Sequence, residues 1–130
     1  ARAGPGRHLD GADAVSVTLR PVYRVTVFVP PAHLEALKAG LCAVEPLALG
    51  GYAEVLWTAA PGEEQFRPLA GARPAQGEVG ELVRLPSVRL EFSLPREPER
   101  LARVIDQGLR PHHPWEVPAI FVDECWAALP

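Results

Sequence analysis

The 130-residue sequence has only two cysteines, Cys42 and Cys125, and they lie far apart. It therefore lacks the disulfide framework of a small secreted domain and the Cys-x-x-Cys spacing of a structural zinc site. A chain of this length can nevertheless bury a core of its own as one domain. The low cysteine content favours a reducing, cytoplasmic location.

Long apolar runs and basic clusters are also missing. No apolar stretch approaches the ~20 residues that a helix needs to span a bilayer, and the chain does not open like a signal peptide. The formal net charge is -3 and the basic residues are scattered, unlike the basic patches that bind phosphate backbones. We therefore expect neither a membrane nor a nucleic acid as a partner. Methionine is absent, and its absence from position 1 indicates a processed or internal start.

The common phosphate-binding motifs are absent as well. The sequence contains neither Gly-x-Gly-x-x-Gly nor the P-loop spacing, and the glycine-rich segment 71–80 has no lysine. Arg67 and Arg73 are the basic residues of this region that could meet an anion, although solvated arginines need no ligand to explain them. Nucleotide binding is thus the weaker alternative to an unliganded surface loop.

Hydrophobic periodicity predicts four strands and two helices. Residues 22–29 and 87–94 alternate apolar and polar side chains with a period of two, which is typical of half-buried strands. Segments 52–58 and 119–122 are apolar enough for two further strands. Two amphipathic helices follow prolines, and their apolar stripes are Leu34, Leu37 and Leu41 in the first and Leu101, Val104, Ile105 and Leu109 in the second.

The resulting order, βαββαβ, predicts an α+β, ferredoxin-like sandwich with a four-stranded antiparallel sheet and both helices on one face. Residues 1–20 are predicted to be a flexible N-terminal tail preceding a domain that spans 21–130, and a short added strand at 14–19 is the alternative for part of it. The predicted core consists of Val25, Val27, Leu34, Leu37, Leu90, Phe92, Leu101, Val104, Ile105 and Ile120.

Residues 62–80 separate the second and third predicted strands. Their density of glycine and proline excludes a helix. Long ordered connections of this kind in compact domains are more often functional or interfacial than idle. We refer to this segment as the excursion.

Residues 112–118 combine two histidines, a tryptophan, a glutamate and two prolines, and the prolines predict a rigid turn. His112, His113 and Glu116 could supply two nitrogens and an oxygen to a divalent cation such as zinc or copper. Adjacent histidines in an extended turn tend to point apart, however, and Glu116 is better suited to accepting backbone N–H groups. The structural interpretation is the stronger one, so no cofactor is expected.

Two segments carry a family resemblance. Residues 66–80, FRPLAGARPAQGEVG, and residues 113–119, HPWEVPA, resemble the domain inserted in the middle of proteins of the Nif-three/YqfO family. The second segment also resembles the corresponding part of CutA proteins, which share the PII-like fold. The resemblance covers roughly residues 22–123. It implies a PII/CutA-like domain, and a homotrimer as in the CutA-like and PII-like proteins.

Members of the Nif-three family carry a di-metal centre, but its ligands lie in two lobes that flank the insert, and the resemblance does not extend to those lobes. We therefore favour a non-enzymatic module that oligomerises and binds a protein partner, a small ligand or a metal ion at subunit clefts. The alternative is a metal-assisted hydrolase using His112, His113 and Glu116. Catalysis requires a nucleophile–base pair or three convergent ligands, and the sequence offers no well-spaced set.

Overall fold

The N-terminal part of the domain is a β-hairpin. The computed structural model describes residues 6–10 and 16–129, with β1 at Arg7–Asp10 and β2 at Ser16–Val29. The two strands pair antiparallel, from Arg7 opposite Leu19 to Asp10 opposite Ser16. The predicted boundary at residue 20 was therefore wrong, because β2 runs through it, and the alternative of an added strand describes residues 16–19. The rest of the predicted tail, residues 1–5 and 11–15, lies outside the described residues.

The first helix follows the first proline pair, as predicted. A 3₁₀ turn at Pro31–His33 leads into α1 at Leu34–Val44, because proline has the backbone geometry of a first helical turn and needs no hydrogen-bond acceptor there. Leu37, Gly40 and Leu41 form the buried face of α1. The helix ends at Glu45, which has extended backbone geometry before Pro46.

The second predicted strand is much shorter than expected. Of residues 52–58 only Trp57–Thr58 form a strand, β3, and Glu54 has a φ of 56° that breaks the extended backbone. Shortly after β3, the excursion supplies a strand that was not predicted, β4 at Gly62–Phe66. Both β3 and β4 pair antiparallel with β5 at Val83–Pro95.

The second helical region is irregular. An α-helical segment at Pro98–Arg103, α2, continues into a π-helical turn at Val104–Leu109 and a 3₁₀ turn at Arg110–His112. After the rigid turn, β6 covers Ile120–Leu129 and is longer than the predicted strand, which ended before Asp123. None of the described helices has the length and apolar composition needed to cross a membrane.

Strand pairing confirms the predicted fold class. β2 pairs over residues 22–29 with β5 and over residues 18–27 with β6, so these two neighbours lie on opposite sides of it. The spatial order is therefore β3 and β4, then β5, β2 and β6, all antiparallel, with the helices on one face. The architecture is an α+β, ferredoxin-like sandwich, built from six strands rather than the predicted four because β1 and β4 add to the sheet.

The core lies between the helices and one face of β2 and β5. Leu34, Leu101, Ile105 and Ile120, four of the predicted core residues, are only partly buried against it. Several residues outside the predicted core are also buried. Val29 lies at the end of β2, and Leu47 lies in the loop after α1, a position where the local pattern does not indicate burial. The buried cluster comprises Tyr23, Val25, Val27, Val29, Leu37, Leu41, Leu47, Val88, Leu90, Phe92, Leu94, Val104 and Leu109.

A buried ion pair joins the two helical regions. Glu45 is 1% exposed, and its carboxylate accepts two hydrogen bonds from Arg100, Nε to Oε1 and Nη2 to Oε2, both at 2.7 Å. The backbone N–H of Leu47 donates a third, at 3.2 Å. Burial raises the pKa of Glu45, but the hydrogen bonds from Arg100 and Leu47 outweigh it and hold the pKa below its ordinary value. The pair fixes the end of α1 against α2.

Candidate functional site

His113 is a structural residue of the rigid turn. It is 8% exposed, and its Nε2 lies 2.7 Å from the carbonyl oxygen of Phe28 in β2. The backbone N–H of Trp115 donates to its Nδ1 at 3.2 Å. Since a carbonyl only accepts and an N–H only donates, the ring is the neutral tautomer protonated at Nε2. Burial lowers the pKa of His113, and the hydrogen bond to the Phe28 carbonyl, which raises the pKa, offsets this only in part. The neutral form of the ring is therefore favoured.

His112 points to a different neighbour. It is exposed, and its ring lies against α1 at Gly40, where an added Cβ would collide with the imidazole. Only glycine therefore allows this close approach of the helix to the turn. The two adjacent histidines are thus held by different elements, and they do not converge on one point.

Glu116 connects the turn to the excursion. Its Oε1 accepts the backbone N–H of Arg73 at 3.0 Å, and its Oε2 lies 3.6 Å from Arg73 Nε. Arg67 donates from Nη1 to the carbonyl oxygen of Gly80, which closes the excursion on itself. The two candidate anion-binding arginines therefore both take part in contacts that shape the excursion.

Trp115 links the same two segments through its ring. The ring centroid lies 5.6 Å from that of Phe66 at the end of β4 and 5.4 Å from that of His113. These distances are in the range of favourable aromatic contacts. Trp115 Nε1 is buried and has no hydrogen-bond partner among the described residues.

A cavity of about 460 Å³ opens between the excursion and the rigid turn. This volume is in the range of small-molecule sites, roughly 300–1,000 Å³. Its walls are residues between 64 and 76 of the excursion on one side and residues between 115 and 119 on the other. Most of the lining is apolar, with Phe66, Pro68, Leu69, Trp115 and Val117 among its residues. We refer to it as the excursion cavity.

The remaining candidate chemistry is dispersed. Among residues 6–10 and 16–129, no group of three or more His, Cys, Asp or Glu side chains is placed to hold a metal ion. Cys42 packs partly buried against the core, and burial raises the pKa of its thiol, with a further contribution from Glu54. A raised pKa disfavours the reactive thiolate.

Comparison with known proteins finds similarity to parts of longer proteins. No protein-family model matches the sequence. The "GTP cyclohydrolase 1 type 2 homolog" of Bacillus subtilis is 34% identical over 96 residues, which are 74% of this chain and 25% of the relative. A crystal structure of a Bacillus cereus protein related to NIF3 superposes with a TM-score of 0.68 at 25% identity, covering 85% of this chain and 27% of that one. A Bacillus subtilis GlnK–ATP complex superposes with a TM-score of 0.49 at 16% identity, over 81% of this chain and 82% of that one.

The chain belongs to the Nif-three family. It spans about a quarter of the curated relatives that it matches, 25% in the case of the Bacillus subtilis protein. The strand pairing described above gives this chain a ferredoxin-like sandwich. The chain is therefore a ferredoxin-like module of the Nif-three family.

Sequence reasoning located the turn of this Nif-three domain but not its cavity. It identified residues 112–118 and the excursion separately, and both are walls of the excursion cavity. The contact between Arg73 and Glu116 joins positions 43 residues apart, so no local pattern reports it. The sequence signal that could have indicated this contact is composition, since both walls are rich in proline and each contains one large aromatic ring.

Proposed function

We propose that this domain is a non-enzymatic module that assembles with copies of itself and functions by binding. The residues with the greatest catalytic potential support this proposal through the bonds they make. His113 uses both ring nitrogens within the fold, and Glu116 accepts from the backbone of Arg73. The alternative, a metal-assisted hydrolase using these two residues with His112, gains no support from such an arrangement.

The observation that carries the self-assembly proposal is the open face of the sheet. The helices cover one face, while Phe121 and Trp57 on the other face are 59% and 52% exposed. The strand register places Phe121, Thr26, Glu91 and Trp57 in one row across β6, β2, β5 and β3. Exposed aromatic side chains on a surface of this kind are typical of protein interfaces.

The sheet edges support the same proposal. In the described part of the chain β6 pairs only with β2, and β3 and β4 pair only with β5, so each has an outer edge with unpaired backbone groups. β1 pairs with β2 and covers neither edge. Asp123 and Glu124 protect the middle of β6 by charge, but residues 120–122 remain apolar. The resemblance to CutA-like and PII-like proteins favours a trimer.

Light scattering on the full chain at micromolar concentration tests the proposal. We expect a mass three times that of one chain, and Phe121→Glu should shift it toward the monomer because a charge would be buried at the interface. The matched control is Tyr52→Glu, which places the same charge at an aromatic residue that is 77% exposed in the loop after α1. A monomeric full chain would contradict self-assembly.

The activity of the longer relatives is not part of the proposal. The Bacillus subtilis protein is named a GTP cyclohydrolase 1 type 2 homolog, and this chain matches 25% of it. A small ligand or a protein partner remains compatible with a binding module. Neither requires the domain to carry a complete catalytic centre.

A further inference from the structure

The excursion cavity has charged residues at its wall, but each already has a partner. Glu64 accepts a hydrogen bond from the buried hydroxyl of Ser87. Glu116 is held by Arg73, and Arg67 donates to the carbonyl oxygen of Gly80. The three charged lining residues, two carboxylates and one guanidinium, sum to a charge of −1, which disfavours a ligand with a phosphate or carboxylate. This charge arrangement selects against anionic ligands.

The unsatisfied polar group at the cavity is a donor. Trp115 forms part of the wall, and its Nε1–H is buried without an acceptor among the described residues. A buried donor without an acceptor is destabilising, so an acceptor supplied by a ligand would be favoured. Because the nitrogen is covered, a neighbouring group must move before a ligand can reach it. Leu69 and Val117, 70% and 81% exposed, line the cavity and have little packing to lose.

We propose that the excursion cavity binds an uncharged, mainly apolar small molecule whose carbonyl or hydroxyl oxygen accepts a hydrogen bond from Trp115 Nε1. Aromatic and proline side chains provide the apolar walls, and the indole N–H fixes the orientation of the ligand. The inference rests on the proposed function in taking the domain to be a binding module, and it adds the chemical class of one ligand.

Prodan, an uncharged naphthalene dye with one ketone, is a suitable probe because its fluorescence reports an apolar environment. Titration into the full chain should give saturable binding at one site per subunit, with a dissociation constant of roughly sub-millimolar order for a ligand of its size. The anionic dye 8-anilinonaphthalene-1-sulfonate should compete poorly. Absence of saturable prodan binding, or tighter binding of the anionic dye at the same site, would overturn the proposal.

Two substitutions locate the binding site. Leu69→Glu replaces an apolar contact at the cavity wall with a solvated charge and should weaken prodan binding several-fold, since the dye loses apolar contact area. Val79→Glu is the matched control, because Val79 is 53% exposed in the same excursion and is not among the lining residues. Equal affinities for the two variants would place the dye elsewhere and overturn the assignment.

Trp115→Phe tests the role of the indole N–H. It keeps an aromatic ring at the wall and removes the donor, so prodan should bind several-fold more weakly, by about the free energy of one hydrogen bond. The ketone-free dye 2-(dimethylamino)naphthalene should bind both proteins equally. An equal loss for both dyes would show that only packing had changed and would overturn the hydrogen-bond assignment.

The dye titration and the mass measurement test the two proposals independently. If prodan does not bind while the mass remains oligomeric, the ligand class is wrong and self-assembly stands. If prodan binds only to the monomeric Phe121→Glu variant, the cavity is filled by a neighbouring copy in the assembly, and the small-molecule proposal is overturned.

Discussion

Replacing Arg100 with methionine should lower the free energy of unfolding by about 3–5 kcal/mol, the range for breaking one side of a buried ion pair. The cost arises because Glu45, 1% exposed, would retain a buried carboxylate without its two hydrogen bonds from the guanidinium. Denaturant unfolding at pH 7 measures the change. Replacing both residues with methionine should recover much of the loss, since the buried charge is then removed as well.

The matched control is Arg110→Met. Arg110 pairs with Asp106 at 2.8 Å, but both side chains are more than half exposed, at 63% and 61%. An exposed pair of this spacing contributes only about 0.3–0.5 kcal/mol. Equal losses for Arg100→Met and Arg110→Met would contradict the structural role assigned to the buried pair.

The effect of Arg100→Met should also depend on pH. The pKa of Glu45 is lowered in the folded protein, so its ionised form contributes stability that is present above the unfolded pKa, about 4.3, and is lost as the pH falls through the folded pKa. The difference between the wild type and the variant should therefore be largest near neutral pH and narrow in acid. A difference that grows as the pH falls below about 4 would contradict this assignment.

Replacing Phe92 with alanine should destabilise the fold by about 3–5 kcal/mol, the range for removing a buried aromatic ring. Phe92 is 4% exposed, and its register partner in β2, Val25, is fully buried. The neighbouring Ser93→Ala, on the exposed face, should change stability by no more than about 0.5 kcal/mol. Thermal or denaturant unfolding compares the two, and an unchanged midpoint for Phe92→Ala would refute the core assignment.

The sequence predicted the parts of the fold whose pattern is long and regular. In β5, residues 87–94 alternate without interruption, and the structure buries Val88, Leu90, Phe92 and Leu94 on one face. Prolines likewise indicated where both helices begin. Period-two alternation and helix-start signals are local, so they survive in a single sequence.

Predictions failed where tertiary contacts override local preference. Residues 52–56 are apolar enough for a strand, yet Glu54 has a positive φ and the backbone there hydrogen-bonds to the segment after α1. Residues 18–20 read as part of a tail, but they belong to β2 and pair with the end of β6, where Thr18 lies opposite Leu129. The weak local alternation at 14–19 indicated a strand only as an alternative, and the distant partner in β6 is not visible in the local sequence.

The candidate site shows the same division. Its rigid turn follows from two prolines and was predicted, whereas the partners of His113 and Glu116, Phe28 and Arg73, are distant in sequence. The buried carboxylate of Glu45 was also not predicted, because a charged residue at a helix end is ordinarily exposed. Composition therefore located the turn, and only the three-dimensional contacts identified the partners of His113 and Glu116.

The central claim is that the rigid turn is structural and that the module binds rather than catalyses. Elemental analysis of the wild-type protein and of His113→Ala, both purified without added metal, tests it most directly, with the unfolding midpoint measured on the same samples. We predict that neither protein contains stoichiometric zinc or copper and that His113→Ala lowers the midpoint, since it leaves the Phe28 carbonyl and the Trp115 N–H without their partner. Stoichiometric zinc or copper in the wild type that is lost in His113→Ala would contradict the claim.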